Sequence, residues 1–304
     1  MKFHLEDIGE FVSKNSNINT DLYIKMFFDM FSSNLDNKIQ NRLMTDLMIK
    51  YSQLSKTFEM QNKVLKETEE KLQKYNNQLE ELVDKKVKEV SDSQIATIYA
   101  LVKLAESRDD DTGDHIERTA RLCSLMAKLL RGVPKYSLYI DDTYIENIYK
   151  SSPLHDIGKV GIPDNILLKP GKLTEDEIEI MKTHVMIGYN TLKDVYNNYR
   201  QNKFLEMGMA ITKYHHEKWD GSGYPDGAKG DEIPLSGRIM AIVDVYDALR
   251  SKRVYKDAFP HELCCKIIAR DNGTSFDPLL VDIFLNNHEL FKQARDGVID
   301  PLQL

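Results

Sequence analysis

From about Tyr51 to Leu82 the apolar positions fall in alternating steps of four and three. Leu54, Phe58, Leu65, Leu72, Tyr75, Leu79 and Leu82 form the series, with polar Gln61 and Thr68 in the same register. Lys, Glu and Gln fill the intervening positions, and neither glycine nor proline interrupts them. A seam this narrow predicts a coiled coil rather than a helix lying on a globule, which would need a wider apolar face. Beyond Leu82 the series shifts by one residue (Val83, Val87, Val90), which predicts a local change of supercoil. Upstream, Leu22, Tyr23, Met26, Phe27, Met30 and Phe31 recur at helical spacing, and Leu43 and Leu47 extend the pattern. Residues 1–50 are therefore expected to form a small helical element, and residues 51–94 a coiled-coil signalling helix.

The pattern widens near Ile95, where a globular part covering residues 95–304 is expected. Ile98, Leu101, Val102 and Ala105 carry the helix toward the acidic run Asp109-Asp110-Asp111, and Gly113 breaks it. A new helix from about Asp114 places His115, Thr119, Leu122 and Met126 on one inward face. Ile140, Tyr144, Ile148 and Tyr149 mark the next helix, which runs to Pro153 and delivers His155-Asp156. Residues 162–171 contain two prolines and a glycine and predict a loop. Thr174 and Glu177 have the spacing of a capping box that opens a helix, on which Ile180, His184 and Ile187 share one side. Ile211 and His215 lie four apart on a later helix ending in His215-His216, followed by a glycine-rich loop through Gly221, Gly223 and Gly227. Ile239 to Leu249 predicts a buried helix whose charges, Asp244 and Asp247, fall on one face. Strand signals are nearly absent. The fold class is all-α.

Composition narrows the function. With 304 residues, 41% hydrophobic and 29% charged, the chain has the makings of a folded globule. A net charge of −7 argues against a general binder of nucleic-acid polymers or anionic membranes. No stretch is long and apolar enough to span a bilayer, and the amino terminus lacks an apolar signal core. Three cysteines, Cys123, Cys264 and Cys265, make no disulfide framework and have no zinc-finger spacing. Reduced thiols and a cytoplasmic location are the expectation.

The chemistry centres on His155-Asp156-Ile157-Gly158-Lys159. The pair offers a metal one imidazole and one carboxylate, and Lys159 can hold a substrate anion beside it. Singly, each of His115, His184, His215, His216 and Asp244 reads as an ordinary core or surface residue. Together, each on an inward segment, they are poorly explained by independent accidents. A carboxylate inside an apolar helix, as at Asp244, is costly unless paired or metal-bound. Mixed imidazole and carboxylate donors suit iron, manganese or zinc. So many donors call for two ions, which at about 3.5–4 Å apart hold a bridging hydroxide and stabilise both oxygens of a phosphate-ester displacement.

In these residues the carboxy-terminal two-thirds resembles the HD-GYP family of cyclic di-nucleotide phosphodiesterases, a branch of the HD phosphohydrolases. The matching series runs in order: Arg108-Asp109 with Thr112 to Arg118, His155 to Lys159, Ile162 to Gly171, His184, His215 to Gly221, Gly223-Tyr224-Pro225, Asp244 to Leu249 and Phe276-Asp277-Pro278. The resemblance implies metal ligands His115, His155, Asp156, His184, His215, His216 and Asp244, with Asp156 bridging two iron or manganese ions. It also implies that Lys159, Arg253 and Lys256 contact substrate phosphates and that Tyr224 shapes the pocket. Members holding a third ion carry Glu where this chain has Asp111, and the family's Arg-Pro-Tyr-Lys reads Arg253-Val254-Tyr255-Lys256 here. Asp111 is expected to bind or orient a third ion; the bland reading makes it the end of a helix.

The expected activity is hydrolysis of cyclic di-GMP to pGpG, with GMP the product of a second cut. Asp247, one turn from Asp244, is placed to orient a ligand or the attacking water. A homodimer through the coiled coil is expected, and the Gly223-Tyr224-Pro225 loop is a candidate docking surface for protein partners. Two other readings stay open: a hydrolase of another cyclic dinucleotide or nucleotide phosphate, and a non-catalytic protein that responds to cyclic dinucleotides.

Overall fold

The computed structural model describes residues 37–106, 114–252 and 257–303. The apolar series at Leu22–Phe31, Asp111, Arg253 and Lys256 lie outside the described residues. The chain divides into two compact units, Met1–Val87 and Lys88–Leu304. Among the described residues there is no strand, and no helix is long and apolar enough to cross a membrane.

Helix α1 is a single element of 70 residues, Asn37–Glu106. Leu43 and Leu47, expected to belong to a separate amino-terminal element, lie on this helix without a break at residue 50. The absence of helix-breaking residues over the whole stretch explains the continuity. The seam residues Leu54, Phe58, Leu65, Leu72, Tyr75, Leu79 and Leu82 are each more than half exposed in the single chain.

In the second unit, α2 (Asp114–Arg131) and α3 (Asp142–Ser151) lead into a 3-10 helix at Ser152–Gly161. Then follow α4 (Asp164–Leu167), α5 (Glu175–Lys182), α6 (His184–Asn198), α7 (Lys203–Tyr214) and α8 (Leu235–Arg250). Helices α9 (His261–Arg270), α10 (Pro278–Asn286) and α11 (His288–Arg295) complete it. Starts are set by local side chains. Asp141 caps α3 by accepting from the Tyr144 amide, and Thr174 and Glu177 form the expected capping box on α5.

The core is the contact of α2 with α8. Leu122, Leu125 and Met126 meet Ile239, Met240, Ile242 and Val243, and Phe284 and Phe291 close the cluster from α10 and α11. Each of these side chains is at least 98% buried. A smaller cluster joins Val102, Ile116, Leu154, Leu192 and Leu205.

Three local features differ from the periodicity. His155 and Asp156 lie on the 3-10 helix rather than on the end of an α-helix, with Pro153 near its start. The helix expected to carry Ile180 and His184 on one side breaks at Thr183, whose hydroxyl donates to the Ile180 carbonyl. Ile180 is 41% exposed as a result, while His184 opens α6 and is buried. Residues 162–171 contain the short helix α4 within the expected loop.

Gly158 shows how tightly the 3-10 helix is held against α6. A Cβ there would lie 1.9 Å from the His184 carbonyl oxygen and 2.6 Å from the Gly188 amide nitrogen. The Thr212 hydroxyl donates to the Leu154 carbonyl at 2.9 Å, tying the same segment to α7.

Candidate metal centre

Four histidines are oriented by one device. His155 Nδ1 lies 2.9 Å from the Ser152 carbonyl, His184 Nδ1 2.7 Å from that of Met181, and His215 Nδ1 3.0 Å from that of Thr212. His115 Nδ1 lies 2.8 Å from Asp247 Oδ2. Carbonyl and carboxylate oxygens accept, so each Nδ1 carries the proton and each Nε2 presents a lone pair. Three of the acceptors are carbonyls three residues earlier in the chain, so short-range backbone geometry sets three of the rings.

The Nε2 atoms converge. One group consists of Asp156, His184, His215 and His216, the other of His115, His155 and Asp244; within each group the ligand atoms lie within 4.8 Å of one another. Asp156 faces both. Its Oδ1 is 3.2 Å from His184 Nε2 and 3.7 Å from His215 Nε2. Its Oδ2 is 3.2 Å from His155 Nε2 and 2.9 Å from Lys159 Nζ. His115 Nε2 in turn lies 3.6 Å from Asp244 Oδ1 and 3.5 Å from His155 Nε2.

These donors fit transition-metal ions. Asp156 Oδ1, His184 Nε2 and His215 Nε2 are buried and have no hydrogen-bond partner among the described residues. Buried polar atoms without partners are costly, and three lone pairs aimed into one space are what a cation would satisfy. Burial opposes ionisation of Asp156, yet Lys159, His155 and His184 hold its carboxyl well below the usual range. Burial also pushes His215 and His216 below the ordinary imidazole value, which keeps them neutral. A carboxylate beside the neutral imidazoles of His215 and His216 is the ligating form of both groups.

Behind the centre stands Asp247, expected from the sequence to orient a ligand or the attacking water, together with Arg118 and Arg295, to which sequence reasoning assigns no role. Asp247 is fully buried and accepts from His115 and, at 2.7 Å and 2.9 Å, from two guanidinium nitrogens of Arg118. Arg295 Nε forms a further ion pair with it at 2.9 Å. Burial raises the cost of charge on Asp247, but His115 and Arg118 outweigh it and keep the carboxyl ionised. His115 is shifted upward: burial disfavours its charge, and the Asp247 hydrogen bond together with the charges of Asp244 and Asp247 more than offsets this. Arg118 is three residues from His115 on α2, a spacing that could have signalled the pair; Arg295, from α11, left no local signal.

The glycine-rich loop is fastened to the same centre. Tyr224 stacks on His216 with ring centroids 4.8 Å apart and planes 25° apart. Buried Glu217 accepts from the Asp226 and Gly227 amides at 2.7 Å and 3.0 Å, closing the loop. Gly223 approaches the backbone so closely that a Cβ would stand 2.4 Å from the Lys218 nitrogen. Asp277, from the matching Phe276-Asp277-Pro278 stretch, caps α10 and holds Arg238 at 2.7 Å.

A family model described as HD domain matches residues 114–280. A cyclic di-GMP phosphodiesterase of Vibrio cholerae is 47% identical over 215 residues, covering 71% of this chain and 44% of the relative. The cyclic di-GMP phosphodiesterase response regulator RpfG of Xanthomonas campestris is 39% identical over 215 residues, covering 71% of this chain and 53% of the relative. A 3'3'-cGAMP-specific phosphodiesterase 2 of Vibrio cholerae is 41% identical over 203 residues, covering 67% of this chain and 36% of the relative. The chain thus spans about half the length of the curated relatives it matches. On this family match, with Gly223-Tyr224-Pro225 set against the histidine cluster, the chain belongs to the HD-GYP branch of the HD-domain family.

Proposed function

We propose that the chain hydrolyses cyclic di-GMP to linear pGpG at a centre of two iron or manganese ions. The observation that carries this reading is Asp156, whose two oxygens face two separate groups of imidazoles. His115, His155 and Asp244 would hold one ion, His184, His215 and His216 the other, with Asp156 shared. Bound there, the ions supply Lewis acidity at the phosphate and lower the pKa of the attacking water.

The chain's own residues do the rest. Lys159, anchored on Asp156, donates to a phosphate oxygen as charge accumulates in the transition state. Arg253 and Lys256 add two cations from the segment that follows α8, offsetting the repulsion between an anionic substrate and a chain of net charge −7. Tyr224 holds His216 in place through the stack and walls the pocket. Asp247 acts through His115 as a positioning residue. In-line attack of water on one phosphorus breaks its bond to the 3′ oxygen. The product carries a 5′-phosphate at one end and a free 3′-hydroxyl at the other, and a second cut would give GMP. Asp111, as a ligand or orienting group for a third ion, belongs to the same proposal.

The 3'3'-cGAMP-specific relative favours a second substrate reading, because the residues assembled here grip metal and phosphate rather than a base. Turnover of cyclic di-GMP, cyclic di-AMP and 3'3'-cGAMP side by side separates the two. Cleavage of cyclic di-GMP at the highest kcat/KM supports the first, and preference for 3'3'-cGAMP replaces it with the second.

The exposed seam of α1 supports a parallel coiled-coil dimer through about residues 51–90, since apolar residues at this spacing bury their surface against a second copy.

A further inference from the structure

A third group of metal-type side chains lies apart from the centre described above, where α9, α11 and α8 meet. His261 and Cys265 are one turn apart on α9, and His288 opens α11. Their ligand atoms all lie within 4.8 Å of one another. His261 Nε2 is 3.0 Å from His288 Nδ1 and 3.5 Å from Cys265 Sγ. A tetrahedral zinc ion holds two nitrogen donors about 3.3 Å apart, and nitrogen and sulfur about 3.6 Å apart, from bond lengths of about 2.05 and 2.3 Å. The observed spacings are within a few tenths of an ångström of these values.

The ring of His261 is already oriented. It is 2% exposed, and its Nδ1 lies 2.9 Å from the hydroxyl of Tyr246, itself fully buried on α8. With the Nδ1 proton donated to that hydroxyl, Nε2 is left as the ligating atom, which is the usual support behind a metal-bound imidazole. Cys265 and His288 are partly exposed, so an ion has a route in from solvent. Glu289 Oε1, 3.6 Å from His288 Nδ1, stands beside the fourth position.

We propose that His261, Cys265 and His288 bind one zinc-class ion that clips α9 to α11 and, through Tyr246, to α8. Two imidazoles and a thiolate select a borderline-soft ion, unlike the all nitrogen and oxygen donors of the Asp156 centre. The clip matters for placement because Tyr246 sits between Asp244 and Asp247 on α8, and α11 also supplies Arg295 to Asp247. The alternative is a hydrogen-bonded triad that holds no ion.

Cobalt(II) distinguishes them, because thiolate-to-cobalt charge transfer absorbs in the near ultraviolet and the Asp156 centre has no cysteine among its donors. Full-length protein stripped with chelator and titrated with cobalt(II) is expected to develop this band to the amplitude of one thiolate-bound ion per chain, over and above the cobalt that the Asp156 centre takes up. Zinc should then bleach it. Cys265→Ser is expected to abolish the band, and His288→Ala to weaken cobalt binding at least about tenfold, while Cys264→Ser and His155→Ala leave it in place. Tyr246→Phe should weaken binding by about 10–100-fold, the range for loss of a supporting hydrogen bond. No charge-transfer band in the unsubstituted protein, a band that survives Cys265→Ser, or unchanged cobalt affinity in His288→Ala would each overturn the proposal.

Discussion

His115 donates its Nδ1 proton to Asp247 across 2.8 Å, and this one bond turns His115 Nε2 toward Asp244 and His155. The Asp247 carboxylate is held in turn by Arg118 from α2 and Arg295 from α11. The imidazole's direction is therefore fixed by residues that never reach the centre themselves. Replacing Asp247 with Asn should keep the shape while removing the charge-assisted acceptor. Affinity for the ion at His115, His155 and Asp244 is expected to fall about 10–100-fold. Competitive chelator titration with metal analysis checks it; an unchanged affinity would leave Asp247 with a purely structural role.

Asp156→Ala should lower metal content by more than one ion per chain and abolish turnover together. Its Oδ1 and Oδ2 face different histidines, so neither group keeps its full donor set without it. Loss of a single ion, with the second bound as tightly as before, would show that Asp156 serves one side only.

Lys159→Ala is expected to cut kcat by about 10²–10³, the usual cost of removing one donor to transition-state charge, with metal content unchanged. Lys159 is an ion-pair partner of Asp156 through Oδ2, so the counter-result is specific: metal loss equal to that of Asp156→Ala would make the lysine a support for the carboxylate instead.

Gly158→Ala should destabilise the fold by at least about 1–3 kcal/mol, because its Cβ would need space already filled by the His184 carbonyl and the Gly188 amide. Both are backbone atoms of α6 and cannot swing aside. Urea unfolding of the two proteins measures it, and equal midpoints would mean that the 3-10 helix and α6 can part without cost.

Leu65→Asn combined with Leu72→Asn should convert a dimer to a monomer in sedimentation equilibrium at micromolar concentration. Both side chains lie in the exposed seam of α1. A dimer that survives would place its interface outside residues 51–90.

Much of this architecture is legible in the chain because burial is recorded locally. The inward face of α2, with His115, Thr119, Leu122 and Met126, follows from helical spacing after Gly113, and all four are buried. The Thr174–Glu177 box is a signal within four residues, and the structure has it. The break at Thr183 was hidden because Ile180, His184 and Ile187 satisfy helical spacing whether or not the helix is continuous. The 3-10 geometry of Ser152–Gly161 depends on Gly158 meeting α6, a contact between segments that no local pattern records. Arg295 behind Asp247 and His288 beside His261 are likewise products of tertiary packing.

The most direct test of the account is turnover of cyclic di-GMP by full-length protein purified without oxygen, with iron, manganese and zinc measured on the same sample. The account predicts cleavage to pGpG in preparations holding at least two iron or manganese ions per chain, lost when those ions are removed and restored when they are returned. Fully metal-loaded protein that binds cyclic di-GMP and leaves it intact would contradict it.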